Sequence, residues 1–257
     1  MEWAYCDVPA CETVRVPVTL SPTQVPILTD DDGGKRPPCD DESSHSSGGL
    51  TFNGASNYVT IPNSTNTALN LEGAFTIQAW IRPAKKIDFI TIMSNKFGGH
   101  TNAGFAFTIN GWGNSNGKLG FEGTNSLIFS LESVRWDAWQ HVAVSYGGAG
   151  TAPALYLDGR HLAHRQEDFH GPFEVYPSPL DTKIGDLGFY YNLAFYSGVM
   201  SDLRVYSYGR TAADIRADMD CAVTPDDDPG LIAHYRFEGQ GGDGDDPLAV
   251  YDSGPNA

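Results

Sequence analysis

The stretch from Trp136 to Gly159, WDAWQHVAVSYGGAGTAPALYLDG, constrains the fold more than any other part of the chain. From Gln140 to Tyr146, Val142, Val144 and Tyr146 alternate with His141, Ala143 and Ser145. That is the period of a half-buried strand. Ala154 to Leu157 reads as a second strand, joined to the first by a loop rich in Gly and Ala. Asp158-Gly159 is a two-residue hairpin signal, and Arg160, His161 and Leu162 follow it. The stretch predicts an antiparallel meander with one wet and one dry face. Trp139 is a large apolar anchor at its start, and its indole N–H needs a partner.

The same reading extends along the chain. Phe75, Ile77, Ala79 and Ile81 alternate with Thr76, Gln78 and Trp80. Pro83 ends that strand, because proline cannot donate to a ladder. Ile87 to Met93, Gly104 to Ile109, Leu119 to Phe121, Leu127 to Leu131, Leu193 to Tyr196 and Leu203 to Tyr206 read as further strands, with Ile184 marking another. Gly159 to Pro179 reads as a long irregular loop. Thr211-Ala-Ala-Asp214 has the form of a capping box before a short helix to Met219. With 257 residues, 40% of them hydrophobic, the chain is one large β domain plus extras or two small domains.

The formal net charge is -16. That argues against nucleic acid and anionic membrane surfaces as partners, since nothing here neutralises rows of phosphates. It permits cation binding, although an acidic surface kept soluble by repulsion is the simpler account. No apolar run reaches the length of a membrane span. The first residues, MEWAYCDVPAC, lack the basic start and apolar stretch of a signal peptide. The expectation is that the chain is cut from a longer precursor or begins part-way through one. Cys6, Cys11, Cys39 and Cys221 show no zinc-type spacing and lie outside the strand-rich middle. An even count there favours disulfides and an oxidising compartment. Asn63-Ser64-Thr65 is a glycosylation sequon in a polar loop.

WQHVAVSY followed by LYLDG resembles the central signature of laminin G-like domains. LTFNGASNYVTIP, ALNLEGAFTIQAWIRP, TKIGD and FYSGVMSDLRVYSYGRTAADI resemble other parts of that family, in order, between Gly49 and Met219. The resemblance implies an all-β fold, an antiparallel β-sandwich of the concanavalin A-like jelly-roll type, with one short helix and an irregular N-terminal extension. Residues 1–11 resemble the end of a kringle through Trp3, Tyr5, Cys6, Pro9 and Cys11. Residues 12–48 read as an irregular linker, in which Val14, Val16 and Val18 can form an edge strand. Residues 49–221 are then the jelly roll. Residues 222–257 resemble the start of such a domain, which implies a truncated second repeat, a strand returning to its own sheet, or one donated to a neighbour. Alternation over Leu231, Ala233, Tyr235 and Phe237 predicts a paired strand there, and the short connection favours return within the chain.

Candidate chemistry is sparse. Glycoside hydrolysis needs two acids facing one bond, whereas Glu132 and Asp137 are split by a turn and Glu167 and Asp168 are adjacent in a loop. No G-x-S-x-G is present, and His161, His164 and His170 read as solvated surface. Relatives of this kind often hold structural calcium, which wants six to eight oxygens. The resemblance places Asn53, Asp186 and Asp202 there, unless Asp202 only fixes a turn. For sugar binding, Trp112 with Asn110, Asn114 and Asn116 offers a ring and planar amides, as do Tyr190, Tyr191 and Asn192. The alternative is that Trp112 packs over the sandwich end. Both margins of the sandwich carry a cysteine, so Cys39 is expected to join Cys221, leaving Cys6 and Cys11 to each other or to a missing kringle.

The expectation is a secreted, non-catalytic module that recognises glycan or protein in an extracellular matrix or on a cell surface, as in cell adhesion. The alternative is a structural subunit of an extracellular polymer built by strand addition. A glycosidase is the third reading.

Overall fold

A computed structural model describes residues 48–63, 67–86, 88–99, 102–111, 114–168, 171–188, 194–221, 223 and 228–237, with the short strands 14–15, 27–30 and 251–252. Two antiparallel sheets face each other. The larger holds ten strands: β1 (Val14–Arg15), β2 (Ile27–Asp30), β3 (Gly48–Asn53), β5 (Ala74–Pro83), β10 (Gln140–Gly147), β11 (Ala154–Leu157), β12 (Arg160–Leu162), β15 (Ser197–Tyr206), β16 (Leu231–Tyr235) and β17 (Tyr251–Asp252). The smaller holds seven: β4 (Val59–Ile61), β6 (Ile90–Ser94), β7 (Ala106–Gly111), β8 (Asn114–Glu122), β9 (Ser126–Ser133), β13 (His164–Asp168) and β14 (Thr182–Ile184). One α-helix, α1 (Ala212–Asp218), is present among the described residues. This is the jelly-roll sandwich that the sequence predicts.

The meander forms as expected. β10 pairs with β11, and β11 with β12, through the turn at Asp158 and Gly159. Both turn residues have positive φ, 49° and 68°. That is the backbone of the hairpin turn whose twist suits its strands. The Trp80 indole N–H, on the outer face of β5, donates to Met219 O at 2.6 Å. α1 covers that outer face, with Ile215 packed against Ala143 and Tyr156. Thr211 and Asp214 form the expected capping box.

The core lies between the inner faces. Phe75, Ile77, Ala79 and Ile81 of β5 and Val142, Val144 and Tyr146 of β10 meet Phe107, Ile109, Phe121 and Ile128 of the opposite sheet. Phe75 is the hub of an aromatic group, with centroids 5.4 Å from Tyr146, 5.8 Å from Phe121 and 6.1 Å from Phe105.

Two expectations are corrected. The segment after β12 is not all loop: His164 to Asp168 pairs with β9 from Ser130 to Ser126. HRQED has no apolar alternation, so an edge strand there gives no period-2 signal. β15 begins at Ser197 rather than Leu203. Gly198 and Asp202 have positive φ, and the register with β5 shifts between Ser201 and Arg204. A bulge of this kind breaks the alternation that a strand shows in sequence.

β15 has one long neighbour, β5, and two short ones that share its other edge. β3 pairs with Ser197–Met200, and β16 pairs with Leu203–Tyr206. The C-terminal strand therefore returns to its own sheet. Ala233, Tyr235 and Phe237 enter the core as expected, and Ile232, which the alternation places on the opposite face, joins the same cluster. A second shift, between Val205 and Tyr206, sends Leu231 instead to a small cluster with Tyr206 and Val223.

Candidate functional site

β7 carries a loop at each end. The far end turns into β8, where the sequence places a sugar platform. Asn110 is buried, with φ 60°. Its amide donates to Lys86 O (2.9 Å) and Asp88 O (3.0 Å) and accepts from Gly117 N (2.7 Å). Both ends of the amide are engaged, and through them Asn110 holds the turn. Asn114 lies in β8 and Asn116 is exposed. Trp112, Tyr190, Tyr191 and Asn192 fall outside the described residues.

The expected calcium ligands are equally occupied. Asn53 Oδ1 accepts from the backbone N–H groups of Ala55, Ser56 and Asn57, at 2.9 to 3.2 Å. Beside it, Lys86 Nζ donates to Gly54 O (3.2 Å), and burial lowers the pKa of that ammonium. Asp186 Oδ2 is paired with Lys183 Nζ at 2.8 Å. Both oxygens of Asp202 receive Arg204, at 2.9 and 2.8 Å, and Oδ1 also lies 2.6 Å from His234 Nε2. Each of these three side chains is thus held by a cation or by backbone N–H groups. Among the described residues, no three His, Cys, Asp or Glu side chains form a metal cluster.

Asp202 instead belongs to a buried ionic network on the outer face of the larger sheet. Arg204 Nη1 donates to Asp218 O (2.8 Å) and Nη2 to Cys221 O (2.5 Å). Asp218 Oδ2 accepts from Tyr206 Oη (3.0 Å) and from Arg210 Nη1. Burial pushes the His234 pKa down, against the pull of Asp202. The network ties β15, β16 and the chain after α1 together, which is a structural task.

The other expected sites are also placed. Asn63 Nδ2 donates to Ser178 O at 3.3 Å. Cys221 is disulfide-bonded, and Cys6, Cys11, Cys39 and the kringle-like start fall outside the described residues. Glu132 is held by Arg160 through two bonds of 2.8 and 2.7 Å, and Glu167 pairs with Arg165 at 2.6 Å. His161 and His164 have ring centroids 6.2 Å apart.

The near end of β7 holds residues that sequence reasoning passed over. Here the loop after β6 and the segment 173–178 meet the β8–β9 turn. Phe97 N donates to Ala103 O (2.9 Å), and Gly104 N donates to Tyr176 O (2.8 Å). Phe97 and Tyr176 therefore flank the same stretch of backbone. They are 47% and 49% exposed, among the few large hydrophobic side chains left open to water. Tyr176 Oη donates to Glu174 Oε2, which also accepts from Asn125 Nδ2 at 3.2 Å. That hydrogen bond raises the Tyr176 pKa. Lys96 lies buried beneath, donating to Asn102 O (2.7 Å) and Gly123 O (2.5 Å), with Glu122 at 3.8 Å. Burial lowers its pKa to about 8, against the pull of Glu122. Phe173 and Val175 alternate with Glu174 and Tyr176 and enter the core. The only sequence signal was an aromatic residue beside glycines in a polar loop, SNKFGGHTNA.

The architecture defines the class: a two-sheet jelly roll with one covering helix. Residues 53–216 match the family described as the concanavalin A-like lectin/glucanases superfamily, and the chain belongs to it. No curated protein matches the chain. Among solved structures it is similar to a protein of Bacteroides ovatus described as carbohydrate-binding, with 20% identity and a TM-score of 0.56. That match covers 79% of this chain and 56% of the other. It is also similar to a carbohydrate-binding module of a Ruminococcus gnavus IT-sialidase bound to α2,3-sialyllactose, with 15% identity and a TM-score of 0.52. There, 66% of this chain covers 95% of that one. A third likeness, to a Trypanosoma rangeli sialidase, has 16% identity and a TM-score of 0.50, and covers 68% of this chain but 28% of that one. At these identities the likeness is one of fold.

Proposed function

We propose that the chain is a secreted, non-catalytic glycan-binding module of a larger extracellular protein. The observation that carries this reading is membership of the concanavalin A-like superfamily across residues 53–216. The likeness to modules that bind carbohydrate supports it. A fold alone does not fix a function, so the side chains must agree. Of the acids weighed for catalysis, Glu132 and Glu167 are each paired with an arginine. The pairing of β16 with β15 within the chain supports a self-contained module over a polymer built by strand donation.

The test is a glycan array with the full chain, run beside a hydrolysis assay on the same saccharides. Binding with no released reducing sugar is the expected outcome. Turnover of any bound saccharide would overturn the non-catalytic part, and a blank array would overturn the glycan part.

A further inference from the structure

The rim at the near end of β7 has three properties that a surface loop does not need for folding. First, it exposes two aromatic rings, Phe97 and Tyr176, at about half of their full accessibility. Burying such rings is strongly favourable, yet both are left out. The hydrogen bonds of Ala103 and Gly104 set them on either side of one short stretch of backbone.

Second, polar groups sit beside the rings in fixed positions. Glu174 holds Tyr176 Oη and Asn125 Nδ2 on one carboxylate oxygen. Asn102 is exposed in the neighbouring loop. Planar amides and a carboxylate accept and donate at defined angles, which is how hydroxyls are recognised.

Third, the rim is braced from below. The Lys96 ammonium joins the loop before β7 to the β8–β9 turn through the carbonyls of Asn102 and Gly123. Thr124 N donates to Glu174 O (2.6 Å), and Tyr176 N donates to Thr124 Oγ1 (3.0 Å). Phe173 packs on Phe121 at 5.7 Å, and Tyr146 Oη donates to its carbonyl at 3.1 Å. A surface held rigid before binding loses less entropy on binding.

We propose that this rim is the saccharide-binding surface, with Phe97 and Tyr176 as its stacking rings and Asn102, Asn125 and Glu174 as its polar contacts, and that it takes a neutral oligosaccharide. The inference rests on the glycan-binding reading above. The class of ligand follows from charge. Glu174 is half-buried and brings its carboxylate to Tyr176 and Asn125 at the rim, while Lys96 is buried with its ammonium turned to two carbonyls and Glu122. An acidic sugar would meet Glu174 with no described cation of the rim reaching it. Neutral hydroxyls instead find an acceptor there.

The experiment uses the full chain against a printed array of neutral and sialylated oligosaccharides. Phe97→Ala, Tyr176→Ala and Tyr176→Phe are compared with the parent chain. Leu131→Ala, an exposed apolar residue on β9 outside the rim, is the control. Signal is expected on neutral oligosaccharides. Phe97→Ala and Tyr176→Ala should each lower affinity by roughly tenfold or more, the scale of one lost aromatic contact. Tyr176→Phe should keep most of it. The melting temperatures should stay at the parent value, because both rings are half exposed. Neutral binding that survives both alanine variants would move the site elsewhere while leaving the module reading intact. Binding confined to sialylated sugars would overturn the ligand class. A blank array would overturn both inferences together.

Discussion

Arg204 is a charge taken out of water and answered at each of its donors. It receives a bidentate carboxylate from Asp202 and two backbone carbonyls, Asp218 O and Cys221 O. Removing one partner of such a pair leaves the other buried and uncompensated. Arg204→Ala should therefore cost on the order of 3–5 kcal/mol in urea denaturation. Arg204→Met combined with Asp202→Asn should recover much of that, since it removes both charges. A loss under about 1 kcal/mol in the single variant would show that water reaches Asp202. Lys96 makes the opposite prediction about pH. Its folded pKa is about 8, lowered from 10.5 by burial. The folded state thus binds fewer protons than the unfolded chain between these values. The linked stability is absent at pH 7 and appears as pH rises from about 8 to 10.5. The stability of the parent chain minus that of Lys96→Met should climb through this window. A flat difference would place Lys96 in contact with solvent. Neither role was legible in sequence, because a lone Lys or Arg shows nothing of its burial.

At the scale of elements, legibility followed alternation. β5, β10 and β11 were readable because one face of each enters the core and the other meets α1 or its own sheet's polar face. β13 was not, since HRQED sits at a sheet edge with no apolar side to reveal. β15 was only half readable, because its bulge and its positive-φ residues interrupt the period. β16 was readable through Ala233, Tyr235 and Phe237, although the shift at Val205 redirected Leu231. β16 also makes a prediction. It fills half of an edge of β15, places Tyr235 and Phe237 in the core and sets His234 against Asp202. Deleting residues 231–257 should expose those groups together and prevent cooperative unfolding near the parent melting temperature. Retention of that temperature would mean that β16 only lies on the sheet. The helix allows a milder test. Thr211→Ala removes the cap that accepts from Asp214 N and should cost about 1 kcal/mol. Unchanged stability by denaturant titration would show that α1 is held by Ile215 alone.

At the scale of the molecule, the sheets were foreseeable and the rim was not. Phe97 and Tyr176 are far apart in sequence, and only the backbone bonds at Ala103 and Gly104 bring them to one edge. No local pattern encodes that meeting. The cysteines pose a question on the same scale. Cys221 is disulfide-bonded just after α1, and its carbonyl is held by Arg204. We propose Cys39 as its partner. Cys39 lies between β2 and β3, and β3 pairs with β15, the strand that carries Arg204. The bond would close a loop of about 180 residues, and in the chain-entropy account such a loop removes roughly 5 kcal/mol of unfolded-state freedom. Reduction should then lower the melting temperature steeply without changing the sheets. Mass spectrometry of peptides from the unreduced protein should find the segment with Cys39 joined to the one with Cys221. A bond from Cys221 to Cys6 or Cys11 would sink the pairing. It would also mean that the kringle-like start is tethered directly to the jelly roll.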